Sequence, residues 1–341
     1  MKCYMCVSVG EDCCTASLYS ELLTVALKSA RQNTSLDIVV LYDGPKSHYI
    51  LNILTSYNVK IIRHTFSHFE DLKKTFSPDI LFSKTGKNSI DFKKLSGTFM
   101  RLDVPFIEND DDYVLYTDID VIFNKDINDT ELTKPKIIAA GPEVSKEFYK
   151  GDIFNAGILY MNVKAMRSKC EEIFSLLEKG IPNKTNLFDQ GYINEVCEDE
   201  IDFLPLEYNW KPYWGLNEDA KIVHFHGIKP GGTADTSGFA VNTSLYESMF
   251  RGHRADFAGY LVYLKNYFTY LDKNADDWIF NHGKEVFKYI SDSYKNNIFR
   301  KTRKKFFKYL LLNFLTFSMN RKFRLRKNEL QSELKKFCSE Q

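Results

Sequence analysis

The chain lacks any apolar run approaching the roughly 20 residues that a membrane-spanning helix needs. Of its 341 residues, 44% are hydrophobic, and they are dispersed in short runs, enough for a full core in one or two domains. Cysteine is sparse: seven in all, Cys3, Cys6, Cys13, Cys14, Cys170, Cys197 and Cys338. The odd count and the chain's length argue against a disulfide-stapled scaffold. The first four could suggest a zinc site, but the strand-like run that holds Cys3 and Cys6 favours cysteine as a small buried hydrophobe. Net charge is also nearly absent, at +1. That neutrality conceals an asymmetry, because residues 295–341 carry 14 Lys or Arg against 3 Asp or Glu. The remainder is therefore acidic and would repel a nucleic-acid backbone, while the basic tail has a separate task. No secretory signal pattern precedes the first strand, so a reducing cytoplasm is the expected location.

What is present is an alternation of strand-like and helix-period segments. Residues 4–9, 36–42 and 59–63 read as strands, and 16–31 and 48–57 as helices. This pattern predicts a parallel sheet covered by helices. Residues 65–94 have no clear period and are expected to form an excursion near a ligand. Residues 95–106 read as a helix stopped by Pro105. Strands are expected at 113–120, 136–140, 154–162, 201–206 and 220–225, with helices at 164–178 and 189–197. The aromatic-rich stretch 241–290 reads as helical. The expected division is a body over 1–250 and an aromatic helical region with a basic amphipathic tail over 251–341.

The most informative motif is Asp118-Ile119-Asp120, set between two apolar runs. On a continuous strand the two carboxylates would face opposite sides, and one would be stranded in apolar packing. A turn at the strand's end lets both converge on Mg²⁺ or Mn²⁺; a solvated turn would give the same pattern. His224, just past a strand, can supply a third ligand, with a hydrogen-bonded core histidine as the alternative. His226 would lie on the opposite side. Gly227 permits close backbone approach to a phosphate, and Lys229 supplies a positive charge. Asp152, Asn155, Asp189 and Gln190 flank apolar segments and offer the directional groups that sugar hydroxyls require, though each could be a cap or turn residue.

Four segments, in order, resemble glycosyltransferase family 8, the GT-A-fold group that includes bacterial lipopolysaccharide galactosyl- and glucosyltransferases and glycogenin. They are MRLDVPF (100–106), YVLYTDIDVIF (113–123), FNAGILYMN (154–162) with DQGYIN (189–194), and HFHGIKP (224–230). The resemblance implies a Rossmann-like α/β fold, with a mixed, mainly parallel sheet flanked by helices and a helical C-terminal extension. It implies metal ligation by Asp118, Asp120 and His224, and diphosphate contacts from Gly227 and Lys229. Arg101 would lie near donor sugar and phosphates, and Ile119 within the nucleotide site. Val7, Ser8 and Asp12 would hold uridine and ribose. Gln190, Asp189, Asp152 and Asn155 would contact the donor sugar, with Gln190 closest to the reacting face.

The implied activity is metal-dependent, retaining transfer of glucose or galactose from a UDP-sugar to a glycan or lipid-linked acceptor. Two departures stand out. Only Ile228 separates Gly227 from Lys229, where the family usually has two residues, and the SVGEDCC start is unlike the usual Asp-rich one. Self-glucosylation as in glycogenin and a catalytically silent sugar-binding protein are the competing expectations. In the tail, Phe306, Phe307, Leu310 and Leu311 recur at near-helical spacing between Lys and Arg. This suits peripheral association with an anionic membrane, expected at its inner face; a terminal helix packed on the body is the alternative.

Overall fold

Short runs rich in β-branched and aromatic residues form a central sheet in the computed structural model. It describes residues 1–10, 13–77, 91–147, 152–180, 188–226, 229–230, 257–274 and 329. Strands β1 (Lys2–Ser8), β2 (Asp37–Asp43), β3 (Lys60–Arg63) and β4 (Tyr113–Thr117) pair in parallel. Strand β7 (Phe154–Asn162) lies antiparallel to both β4 and β6 (Ile138–Pro142), and β8 (Ile201–Phe203) runs parallel to β6. The seven-stranded order is β3-β2-β1-β4-β7-β6-β8. The sheet is therefore mixed and mainly parallel, flanked by helices, as a GT-A, Rossmann-like fold requires.

A second, two-stranded antiparallel sheet joins β5 (Val121–Phe123) to β9 (Ile222–His224). The flanking helices are α1 (Cys13–Asn33), α2 (Ile50–Ser56), α3 (Phe69–Thr75), α4 (Phe92–Phe99), α5 (Val104–Ile107), α6 (Val163–Leu177) and α7 (Phe188–Cys197). A C-terminal helix, α8, covers Phe257–Tyr270.

One face of the sheet buries Tyr4, Val39, Leu41, Val114, Tyr116 and Leu159 with Phe99, Met166 and Ile173 of the helices. Cys3 and Cys6 are buried free thiols, as their strand pattern predicts. Burial pushes the Cys3 thiol up to about 12, which keeps it protonated and unreactive. Asp91 caps α4 by accepting from the Lys93 and Lys94 amides at 2.9 and 3.1 Å, and Asn162 caps α6 through the Ala165 amide at 3.1 Å.

Three local expectations need correction. Pro105 does not stop a helix. The segment breaks earlier, at a 3₁₀ turn over Met100–Leu102, and Pro105 sits in the first turn of α5, where its missing N–H costs nothing. Within 65–94, residues 69–75 form α3 despite weak periodicity, because Leu72 is fully buried and Phe69 packs against the core. The strand expected over 201–206 ends at Phe203, and a 3₁₀ turn follows at Leu206–Asn209.

The chain divides into two compact units, Met1–Leu245 with Ala255–Lys273, and Tyr246–Arg254 with Asn274–Gln341. The first contains the sheets and α8, whose Tyr267 ring meets Phe225 edge-on at 5.6 Å. Among the described residues no helix is long and apolar enough to cross a membrane. The basic tail lies almost wholly outside the described residues.

Candidate metal and donor site

Two backbone pairings assemble the site. The turn Asp118–Asp120 leaves β4 as the sheet ends; Asp118 stays partly exposed, and Asp120 is buried but ion-paired with Lys229. Asp118 donates its amide to the Gly157 carbonyl on β7 at 2.7 Å. The next strand, β5, places Val121 opposite His224 of β9, and the Phe225 amide donates to the Asp120 carbonyl at 2.9 Å. Residues about a hundred positions apart thus converge. Ligand atoms of Asp118, Asp120 and His224 lie within 4.8 Å of one another.

Whether these side chains suit a divalent cation depends on which atoms are free. Asp118 Oδ1 accepts from Arg101 Nη2 and from the Tyr116 hydroxyl, both at 2.9 Å. Its Oδ2 faces Gly157. A Cβ placed on Gly157 would lie 3.0 Å from both Asp118 Oδ2 and His224 Nε2, and 2.3 Å from His224 Cε1. The bare glycine therefore keeps open the space between two ligand atoms, which a side chain would fill. His224 Nδ1 lies 3.0 Å from Asn209 Oδ1, which accepts its proton and leaves the Nε2 lone pair toward the carboxylates. His224 Nε2 is 3.5 Å from Asp120 Oδ1. Burial pushes the His224 pKa down to about 4, against the pull of Asp118, so the ring is neutral at physiological pH. Two carboxylates and a neutral imidazole around a bare glycine fit Mn²⁺ or Mg²⁺.

Lys229 caps this constellation through an ion pair with Asp120 Oδ2, and its ammonium also donates to the Phe225 carbonyl at 3.3 Å. Arg101 is buried, with its guanidinium over the Tyr116 ring. It bridges Asp118 and Asp189, which lies 2.9 Å from Arg101 Nε, and it donates to the Ala156 carbonyl. Burial lifts the Asp189 pKa to about 6, and the Arg101 charge opposes the rise. Ile119 is buried between the two ligand carboxylates.

A cluster of amide side chains lies beside these three residues. Gln190 accepts from the Ala156 amide at 2.9 Å and donates to Glu143 Oε2 at 2.9 Å. Asn155 donates to the same Glu143 oxygen at 2.9 Å and accepts from the Gly157 amide and from Asn209 Nδ2, each at 3.1 Å. At the end of β1, Val7 is buried and Ser8 donates to Asp43 at 2.9 Å; Lys93 and Thr65 hold the same carboxylate. Asp152 is exposed just ahead of β7. Asp12 and Gly227 lie outside the described residues. His226 is no ligand of this triad; it pairs with Glu143 and Tyr213, each at 3.0 Å.

The sequence reading missed Glu143, Asn209 and Tyr213. Gly141-Pro142 ahead of Glu143 marked a strand end, which is where polar site residues sit, and was the one available signal.

A cation cradle beside amide and carboxylate side chains, at the carboxyl end of a Rossmann-like sheet, is what a sugar nucleotide requires. The sequence pattern of Glycosyl transferase family 8 matches residues 13–231, and the chain belongs to that family. Its family-level activity is glycosyl transfer from a nucleotide-sugar donor. No curated protein matches the chain.

Several solved glycosyltransferases match part of the chain. Galactosyltransferase LgtC, in complex with donor and acceptor sugar analogs, is 20% identical over 73% of this chain and 96% of its own, with a TM-score of 0.49. Mouse xyloside xylosyltransferase 1, in its apo form, is 14% identical over 67% of this chain and 99% of its own, with a TM-score of 0.46. The bifunctional WbbM apo structure is 16% identical, with a TM-score of 0.46; the match covers 67% of this chain and 46% of WbbM.

Proposed function

We propose that this protein is a retaining glycosyltransferase that moves glucose or galactose from a UDP-sugar to a hydroxyl of a glycan or lipid-linked acceptor. The observation that carries this reading is the Asp118–Asp120–His224 triad around Gly157, with ligand atoms within 4.8 Å of one another. Mn²⁺ or Mg²⁺ held there would offset charge on the diphosphate as UDP departs.

The chain's own groups supply the rest. Lys229, now paired with Asp120, would turn to a diphosphate oxygen and stabilise the leaving group. Arg101 holds Asp118 Oδ1 and thereby aims Oδ2 at the cradle. Gln190 and Asn155 would bind sugar hydroxyls, and Val7 and Ser8 would border uridine and ribose. The acceptor oxygen attacks the anomeric carbon from the face that UDP leaves. The bond to the diphosphate oxygen breaks with its electron pair, and that oxygen takes the acceptor's proton. Gln190 would orient the sugar and polarise, without forming a bond. Trapping a glycosyl group on Asp189 or Gln190 would contradict this mechanism.

Metal-dependent hydrolysis of UDP-hexoses tests the reading without knowledge of the acceptor. The basic tail supports, on sequence grounds, a lipid-linked acceptor at an anionic surface. Full-length protein should sediment with anionic liposomes at low salt, and protein truncated after residue 299 should not. Failure of the full-length protein to bind would remove the membrane reading.

A further inference from the structure

Glu143 lies at the centre of a partly buried hydrogen-bond network whose donor and acceptor assignments depend on one another. An ionised carboxylate can only accept. Glu143 Oε1 faces His226 Nε2 at 3.0 Å, and Oε2 faces Asn155 Nδ2 and Gln190 Nε2, both at 2.9 Å. All three neighbours must therefore present N–H groups to it. His226 completes the support, since its Nδ1 lies 3.0 Å from the Tyr213 hydroxyl and is free to accept that proton. Burial alone would raise the Glu143 pKa, but the hydrogen bonds from His226 and Asn155 hold it down to about 2.

Two branches leave this point. In the first, Gln190 turns its NH₂ to Glu143, so its oxygen meets the Ala156 amide at 2.9 Å. In the second, Asn155 turns its NH₂ to Glu143, so its oxygen accepts from the Gly157 amide and from Asn209 Nδ2. Asn209 is then obliged to aim its oxygen at His224 Nδ1, 3.0 Å away. That imidazole nitrogen must carry the proton, and Nε2 is left with its lone pair toward Asp118 and Asp120. The carboxylate is thus three hydrogen bonds from His224 Nδ1, whose proton leaves the lone pair on Nε2.

We propose that Glu143 is a positioning residue that sets the polarity of the whole network, fixing the Gln190 amide on one branch and the His224 tautomer on the other. A carboxamide at this position loosens the rule: its NH₂ either meets His226 Nε2, which must then pass its proton to Nδ1 and donate to the Tyr213 hydroxyl, or faces Asn155 and Gln190, which must then turn their oxygens toward it. Asn155, Asn209 and Gln190 would each gain a second orientation of similar energy. The inference rests on the donor-site reading above for its catalytic consequence, but not for its structural one.

The test compares full-length Glu143→Gln and Glu143→Asp with wild type. In metal-free, ¹⁵N-labelled protein, the histidine ¹⁵N shifts report the His224 tautomer and the side-chain amide signals report Gln190. Mn²⁺ alone, titrated by calorimetry, reports the ligand set. Wild type and Glu143→Asp should hold His224 as the Nδ1–H tautomer. Glu143→Gln should show mixed tautomers, a shifted Gln190 amide and Mn²⁺ affinity lower by ~10-fold, the effect expected when a ligand's outer partner is disturbed. Its kcat for UDP-hexose hydrolysis should fall by ~10-fold at saturating Mn²⁺, with UDP affinity changed less than about twofold.

An unchanged His224 tautomer and unchanged Mn²⁺ affinity in Glu143→Gln would overturn the proposal. Should that variant unfold, Asn155→Leu cuts the same branch, and the same two readings decide. If wild type turns over no UDP-hexose, the functional reading fails, while the tautomer and Mn²⁺ results still decide the role of Glu143.

Discussion

Gly157 and His224 are in such close contact that a single methyl group on the glycine would lie 2.3 Å from His224 Cε1. The same methyl would stand between His224 Nε2 and Asp118 Oδ2, at 3.0 Å from each. The candidate cation cradle is thus defined as much by a missing side chain as by Asp118, Asp120 and His224. Gly157→Ala should displace the buried ring, destabilise the protein by about 1–3 kcal/mol, and weaken Mn²⁺ binding by at least ~10-fold. Calorimetric titration of Mn²⁺ checks this; an unaltered affinity would show that the cation sits elsewhere.

Lys229 holds Asp120 in an ion pair, so a divalent cation bound there would compete with it. Removing the ammonium in Lys229→Met should therefore strengthen binding of Mn²⁺ alone and weaken binding of UDP in the presence of Mn²⁺. The second loss should be roughly tenfold, as expected for a charged hydrogen bond to phosphate. Paired titrations give both numbers. Weaker Mn²⁺ binding in the variant would contradict the competition.

Gln190 and Asn155 should matter to the sugar and not to the nucleotide. Gln190→Ala and Asn155→Ala should each lower turnover more than they lower affinity for UDP, which carries no hexose. Calorimetry with UDP beside hydrolysis rates with UDP-hexose separates the two effects. Parallel losses would assign both residues to the fold or to the nucleotide.

Away from the site, Glu108 ties the start of β1 to the turn before β4. It accepts from Lys2 Nζ at 2.9 Å, the Tyr4 hydroxyl at 2.7 Å, and the Asp110 and Asp111 amides at 2.6 and 3.0 Å. Burial opposes its ionisation, but these bonds prevail and lower its pKa from 4.5 to about 2. A carboxyl group depressed on folding stabilises above its unfolded pKa and loses that contribution as pH falls through its folded one. Glu108→Gln should cost about 1–3 kcal/mol at pH 7, and the gap should shrink between pH 4.5 and 2. Urea midpoints across this range provide the check; a gap independent of pH would refute the linkage.

Asp118, Asp120 and His224 were legible in the sequence because each interrupts or ends an apolar run, where a polar residue needs a reason. Arg101 and Gln190 became legible through the ordered segments around them. Glu143 was not legible, since its partners Gln190 and His226 are 47 and 83 residues away and only the tertiary fold joins them. The parallel order of β1 to β4 follows from alternating strands and helices. The antiparallel insertion of β7 between β4 and β6 does not, because periodicity records which face is buried and not which neighbour is paired. The early end of helix α4 escaped for a related reason. Pro105 drew the boundary, whereas the break lies where Arg101 turns into the site between Asp118 and Asp189.

The central claim is tested most directly by incubating the full-length protein with UDP-glucose, UDP-galactose and other UDP-sugars, with Mn²⁺ and with excess chelator, and measuring UDP release. UDP-glucose or UDP-galactose should be hydrolysed with Mn²⁺, the chelator should stop the reaction, and Asp120→Ala should remain folded while losing most of the rate. Release that persists under chelation, or near-wild-type turnover by Asp120→Ala at limiting Mn²⁺, would contradict the account.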